Sequence, residues 1–457
     1  MRGRAMKGKY RRALETGKTI LIVLLTLSAV FLAGQTKIYS SAPASQQSGW
    51  LGFVTNLFAP LGNSGAGNNP EQTGKESRLL PVRLAVRNED GCYGVQYNTQ
   101  AASDDFELRL GTLLGDALAD AGTPFEVSEA VWREALGKTH PAVYYDFMSS
   151  IPLSALSSWL TGGENAYLTG SVRRLVLASG NGAAILYYED TGSGKFYACS
   201  TPENTLVRLT DTVKNYVPNN ASFAFQNEEQ FGKLDPYDML LPTTPTPAVF
   251  EVSNPISFTG ESGDTQNKLL KALSFHPQTS SGYQAPDAWV VREGTDNLRI
   301  SDNGTVTFHS SDAADPRYPV SGSAQPDEGE ILEAAYDLAE DSIGLWCGEA
   351  QIYYEGTEAL EDGTTALYFS YVLDGAVVKL YEDGYAARFV IRDNYISDFV
   401  LHFREYRATG ETTILLPELQ ATAAMDALGL TKSELTLCYQ DGGKSQVVAG
   451  WVAKQLV

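Results

Sequence analysis

The first forty residues constrain this chain more than anything that follows them. Residues 1–18 carry seven basic side chains (Arg2, Arg4, Lys7, Lys9, Arg11, Arg12, Lys18) against one acid, Glu15, a net charge of +6. Residues 19–36 (TILIVLLTLSAVFLAGQT) then carry no charge at all. As a helix, that run spans about 27 Å at roughly 1.5 Å per residue, close to a hydrocarbon core of about 30 Å. Lys18 and Lys37 bracket it, and their stems can reach the two interfaces. Basic residues beside a span are retained on the cytoplasmic side, so the expected topology is a cytoplasmic tail (1–18), one transmembrane helix (19–36) and export of the rest. A cleaved secretory signal would share the basic and apolar parts. The run is long for such a signal, and the nearest small-x-small triplet, Ala42-Pro43-Ala44, comes late and contains proline, which favours an anchor. Gln35 stands where a lipoprotein box needs Cys, so no lipid anchor is expected.

Charge narrows the partners. The 457 residues include 34 basic and 55 acidic side chains; outside the tail 27 and 54 remain, a net charge of -27. Such a surface repels phosphate backbones and argues against nucleic-acid binding. Four cysteines (Cys92, Cys199, Cys347, Cys438) lie singly, without a C-x-x-C pair, which removes zinc and thioredoxin-like readings. Disulfides outside the cell and small buried hydrophobes both stay open.

The patterning divides the exported part. Residues 37–78 are expected as a flexible stalk, rich in Ser, Gly and Asn from residue 41 and interrupted by Trp50-Leu51-Gly52-Phe53 and Leu57-Phe58. An N-terminal domain is expected over 79–240, a middle one over 256–322 and a C-terminal one over 326–457, parted by the Pro/Thr-rich stretch 240–255 and a second break at 321–327. In the first, strands are expected at 81–86, 93–97, 142–148, 174–178 and 184–189, with Ser103 capping a helix that ends at Gly122, a shorter helix from Ser128 and another at 152–160. Further on come helices at 267–273, 330–342 and 417–428. Strands are expected at 289–292, 298–300, 305–309, 350–355, 366–373, 376–381, 385–392 and 396–404, then a final hairpin. Asp302-Asn303-Gly304, Asp374-Gly375 and Asp383-Gly384 read as hairpin turns. Helices followed by meanders predict α+β layers of antiparallel sheet with packed helices.

Catalytic motifs are sparse. A wall-building acyl-enzyme needs Ser-x-x-Lys, Ser-x-Asn and Lys-Thr-Gly together, and only Ser301-Asp302-Asn303 is present, inside a turn. His140, His276, His309 and His402 are far apart and none stands in H-E-x-x-H spacing. The Glu-Asp-Gly triplets at Glu89, Glu361 and Glu382 read as turns and not as cation loops. The tyrosines Tyr353, Tyr354, Tyr368, Tyr371, Tyr381, Tyr385, Tyr395 and Tyr406 are expected in sheet core and rim. No catalytic residue, metal or cofactor is expected.

Three segments carry a family resemblance: 142–160 (AVYYDFMSSIPLSALSSWL), 269–300 (LLKALSFHPQ…NLRI) and 366–406 (ALYFSYVLDGAVV…FVLHFREY). In pattern and order the chain resembles the YycH family and its relative YycI. The resemblance implies a single-pass protein of Gram-positive bacteria that associates with the WalK sensor histidine kinase and adjusts the WalK/WalR two-component system controlling cell-wall metabolism, without enzymatic activity of its own. A sensor histidine kinase of the WalK type and a related YycI-like accessory protein are the partners it implies. The long stalk and four cysteines depart from what the family leads one to expect. Within the span, Thr26, Ala29 and Ala33 fall on one helical face, and Ala29-x-x-x-Ala33 is the small-x-x-x-small spacing that permits close helix approach, which makes these three the expected transmembrane contact. The competing functions are an anchored wall-modifying enzyme and a passive wall- or peptide-binding module.

Overall fold

In this computed structural model the described residues are 80–455, apart from 97–99, 257–262, 279–280, 312–313, 323–325, 382, 428–429 and 431–432. The first sheet is built from strands β1 (Arg83–Asn88), β2 (Gly91–Gln96), β3 (Phe125–Val127), β4 (Ala142–Pro152), β5 (Ser171–Gly180), β6 (Ala183–Asp190) and β7 (Lys195–Ser200), in the order β2-β1-β4-β5-β6-β7-β3. Every pair is antiparallel. Its two faces follow the strand period of two. Val143, Tyr145 and Phe147 turn to one side, into the cluster that holds Leu113, Leu114, Leu156 and Leu209 from the helices Gly111–Ala119, Leu153–Thr161 and Thr205–Val213. Tyr144, Val176 and Tyr187 turn to the other, onto Trp132, Ala135 and Leu136 of the helix Glu129–Gly137. Both faces are covered, which is why β5 runs apolar and buried on both sides from Leu175 to Ala178.

Ser103 does not cap its helix. The helix starts earlier, at Gln100–Asp105, passes through a π-turn at Phe106–Leu110 and continues as Gly111–Ala119. Gln-Ala-Ala ahead of Ser103 are good helix formers and extend the element past the residue that looked like its start.

Then follow β8 (Ser222–Phe223), β9 (Met239–Leu240) and β10 (Ala248–Ser253). The larger sheet uses β11 (Ser281–Ala285), β12 (Ala288–Glu293), β13 (Asp296–Ser301), β14 (Thr305–His309), β15 (Gln351–Ala359), β16 (Thr365–Leu373), β17 (Ala376–Leu380), β18 (Ala387–Arg392) and β19 (Tyr395–His402). Beyond β20 (Glu405–Thr412) it gains β21 (Ser433–Asp441) and, past β22 (Gln446–Val447), β23 (Ala449–Gln455). Its order is β11-β12-β13-β14-β19-β18-β16-β17-β21-β23, with β15 on β16, and β20-β10-β22 form a small separate sheet. The architecture is α+β, antiparallel but for β17 beside β21.

The segments expected as middle and C-terminal domains thus share one sheet, joined where β14 pairs β19 from Thr305↔His402 to His309↔Asp398. The polar break at 321–327 leads into a capped helix and separates no folding unit. Asp327 accepts the Glu330 N–H at 2.8 Å and Glu330 accepts the Asp327 N–H at 3.1 Å, a reciprocal box that starts the helix Glu328–Asp341. Likewise the stretch 240–255 carries β10, paired on both sides. Residues Gly74–Val457 form one compact unit, and one apolar cluster runs through both large sheets.

The turns fall where glycine chemistry puts them: Gly304 has φ 90°, and Asp374 and Gly375 have φ 48° and 72°, the left-handed pair of a tight hairpin. Gly91 and Gly363 close the first two Glu-Asp-Gly turns. In the middle of the larger core, Phe369 is fully buried, with ring centroids of Tyr336, Tyr354 and Phe389 at 6.0, 5.7 and 5.6 Å. Phe369→Ala is expected to lower the unfolding free energy by about 3–5 kcal/mol, through lost transfer and the cavity left behind. Urea titration followed by tyrosine and tryptophan fluorescence measures it; a loss below about 1 kcal/mol would show that the helix Glu328–Asp341 is not held through this ring.

Candidate functional site

Thr26, Ala29 and Ala33, with the whole expected span, lie outside the described residues. Among the described residues no helix is long and apolar enough to cross a membrane. Among the described residues, chemistry concentrates where the N-terminal sheet meets the C-terminal hairpin β21–β23.

Seven charged side chains converge there. Arg83 from β1, Asp146 from β4, Arg174 from β5, Asp235 and Asp238 from the loop before β9, and Glu434 from β21 are all buried, and Arg173 of β5 is nearly so. Arg173 grips two carboxylates: its Nε and Nη2 reach Asp146 at 2.9 and 3.2 Å, and its Nη1 and Nη2 hold both oxygens of Glu434, the former at 2.9 Å. Arg174 donates to Asp235 at 2.8 Å and lies over the Tyr237 ring at 5.6 Å. Arg83 shares one nitrogen between Asp238 and Glu434, 3.2 Å from each, and gives the other to the Leu435 carbonyl at 2.9 Å. The backbone follows the charges: Leu435 N–H donates to Asp238 at 3.1 Å, and Asp235 N–H to the Ser433 carbonyl at 3.0 Å.

Placement explains the electrostatics. Residues 83, 146 and 174 lie in adjoining strands, with Arg83 opposite Asp146 and Asp146 opposite Arg174 in the pairing register. At Asp146, Glu434 and Asp238 burial pushes the carboxyl up, and the guanidiniums oppose it. At Asp146, facing all three arginines, they win and hold the carboxyl far below the usual range. At Glu434, Arg173 and Arg83 likewise outweigh burial and bring it down to about 2. At Asp238 burial wins: Arg83 is shared, Glu434 and Asp235 add repulsion, and the carboxyl is pushed up to about 7. Such a cluster can clamp two sheets and can hold a proton. Truncating one member strands the rest in a dry interior.

Sequence reasoning missed this site because its members are spread over 351 positions, the separation of Arg83 and Glu434. A signal was present: Asp146 interrupts the apolar strand AVYYDFM, and Arg173-Arg174 interrupt SVRRLVL. A charge at an inward strand position needs a buried partner.

The remaining expected residues are placed plainly. All four cysteines are free and buried, and burial pushes the Cys199 and Cys347 thiols up to about 12. Tyr353, Tyr354, Tyr371, Tyr395 and Tyr406 are core residues, whereas Tyr381 is 84% exposed. The Tyr353 hydroxyl donates to the Phe147 carbonyl, a second tie between the sheets. Ser301-Asp302-Asn303 sit at the β13–β14 turn. His402 is buried, with Asp383 at 2.8 Å. A groove of about 470 Å³ runs beside the helix Glu328–Asp341, but its Arg317 is taken up by Asp296 at 2.6 Å and by the Phe275 ring.

No protein-family profile matches this chain. No curated relative matches it. Among solved structures, the crystal structure of YycH from Bacillus subtilis is similar, at 12% identity and a TM-score of 0.51, over 83% of this chain and 97% of that one. At that identity the likeness is one of fold.

Proposed function

We propose that this chain is a non-catalytic accessory regulator of a sensor histidine kinase of the WalK type, anchored by residues 19–36 with its folded part outside the cell membrane. The observation that carries the reading is the likeness in fold to YycH over nearly the whole length of that protein, taken with the family resemblance in 142–160, 269–300 and 366–406. An anchor fits this role. A helix packed against a kinase helix biases a two-state kinase by however much it prefers one state over the other.

In this reading Thr26, Ala29 and Ala33 form the contact face, and the exported sheets supply the input. Replacing Ala29 and Ala33 together by isoleucine is expected to reduce co-purification with the kinase at least tenfold, while expression and membrane insertion stay as before. The measurement is affinity capture from membranes, with kinase autophosphorylation in the same preparation. Undiminished capture would remove the helix contact. Unchanged autophosphorylation with and without the wild-type chain would remove the regulatory role itself.

A further inference from the structure

We propose that the seam between the N-terminal sheet and the C-terminal hairpin is a proton-operated latch, in which Asp238 and Glu418 each take up a proton and thereby hold the segment 234–241 more tightly against β21 and the helix Glu418–Ala427.

The geometry singles out these two carboxylates. Three guanidiniums face four carboxylates in the cluster, so one negative charge is in excess. Arg173 is committed to Asp146 and Glu434, and Arg174 to Asp235. Asp238 is left with half of Arg83, the Leu435 N–H and a long ion pair to Arg174 at 3.9 Å. Glu418 is half-buried at the other end of the same segment, where its Oε2 accepts the Leu241 N–H at 2.9 Å, and no ion pair to it occurs among the described residues. Between the two, Leu234 and Leu240 pack on Ala421, Met425 and Leu435. Both carboxylates therefore close one seam.

The charged and titratable groups around Asp238 are Arg83 from β1, Tyr144 and Asp146 from β4, Arg173 and Arg174 from β5, Glu189 from β6, Asp235 from its own loop and Glu434 from β21. For Glu418 they reduce to the field of Arg83. Burial pushes both carboxyls up to about 7, against less than 5 for a hydrated one. The closed seam binds these protons more tightly than an opened, hydrated seam. The contribution of these two protons to closure is therefore largest below about pH 4, weakens as the pH rises from 4 to 7, and levels off above 7.

This inference goes beyond the kinase reading and stands without it, because its readout is the chain's own seam. Amide hydrogen exchange of the full-length chain, corrected for the intrinsic pH dependence, is measured at segments 234–241 and 433–441 between pH 5 and 8. Opening is expected to rise by up to about tenfold per pH unit for each carboxylate in the window up to pH 7. Asp238→Asn and Glu418→Gln should each remove part of that slope, leaving exchange in β12–β14 unaltered. Wild-type slopes in both variants would overturn the proposal. Should Asp238→Asn fold poorly, carboxyl-labelled aspartate in the native chain decides: a buried aspartate titrating between pH 6 and 8 supports the latch, and none above pH 5 overturns it.

Discussion

Replacing Glu434 by alanine is expected to cost about 3–5 kcal/mol of unfolding free energy, because it takes three charge-assisted hydrogen bonds away from Arg173 and Arg83 in a dry interior, leaving their donors to Asp146 and Asp238. Glu434 is 1% exposed and receives both of these guanidiniums. The loss is not the net worth of the salt bridge. A well-packed apolar replacement of all seven groups would remove the desolvation cost together with the attraction, whereas removing one partner leaves the cost and takes the attraction away. The comparison with Glu434→Gln separates the two, since the amide keeps the shape and an acceptor. Urea unfolding of wild type, Glu434→Ala, Arg173→Met and the double variant closes a cycle. A large coupling energy between 173 and 434 is expected. If Glu434→Ala costs less than about 1 kcal/mol, the cluster is hydrated in solution and does not clamp the hairpin.

On acidification the same residue should destabilise the chain by about 3 kcal/mol, from a carboxyl held near 2 in the fold against about 4.5 when hydrated. The sign follows from the lowered value. Glu434 contributes its full stability above pH 4.5 and loses it as the pH falls through 2. Asp146 is shifted in the same direction by the same guanidiniums and adds to the loss. Asp238 and Glu418 are shifted upward and act with the opposite sign between pH 4 and 7. Stability is thus expected to peak near pH 4–5 and to fall on both sides. Thermal or urea unfolding at closely spaced pH values shows the shape. A monotonic rise in stability from pH 4 to 8 would contradict the assignment of the upper limb, and an acid limb of equal size in Glu434→Ala would contradict that of the lower.

The folding of most of this chain was legible one element at a time. The strands at β4, β16 and β18 and the helix after Pro152 were read from period and turn chemistry, because each depends on neighbours a few residues away. The hairpin turns at Gly304 and Asp374-Gly375 were fixed by the residues that tolerate positive φ. Short edge elements such as β3, β11 and β20 escaped, since three to eight mostly exposed residues carry no clear period. The break at 321–327 reads as a boundary because capping residues and linker residues are the same polar types. Only the chain beyond, with Glu330 answering Asp327, tells them apart.

Local order and the α+β class were determined by the sequence alone, since each rests on the side chains within a single element. The joining of β14 to β19, which merges two expected domains into one sheet, was decided only in three dimensions. So was the meeting of Arg83, Asp146, Arg173, Arg174, Asp235, Asp238 and Glu434. A charge in a strand says that it must find a partner, but which partner depends on strand order and register, and those are set by the packing of the whole core.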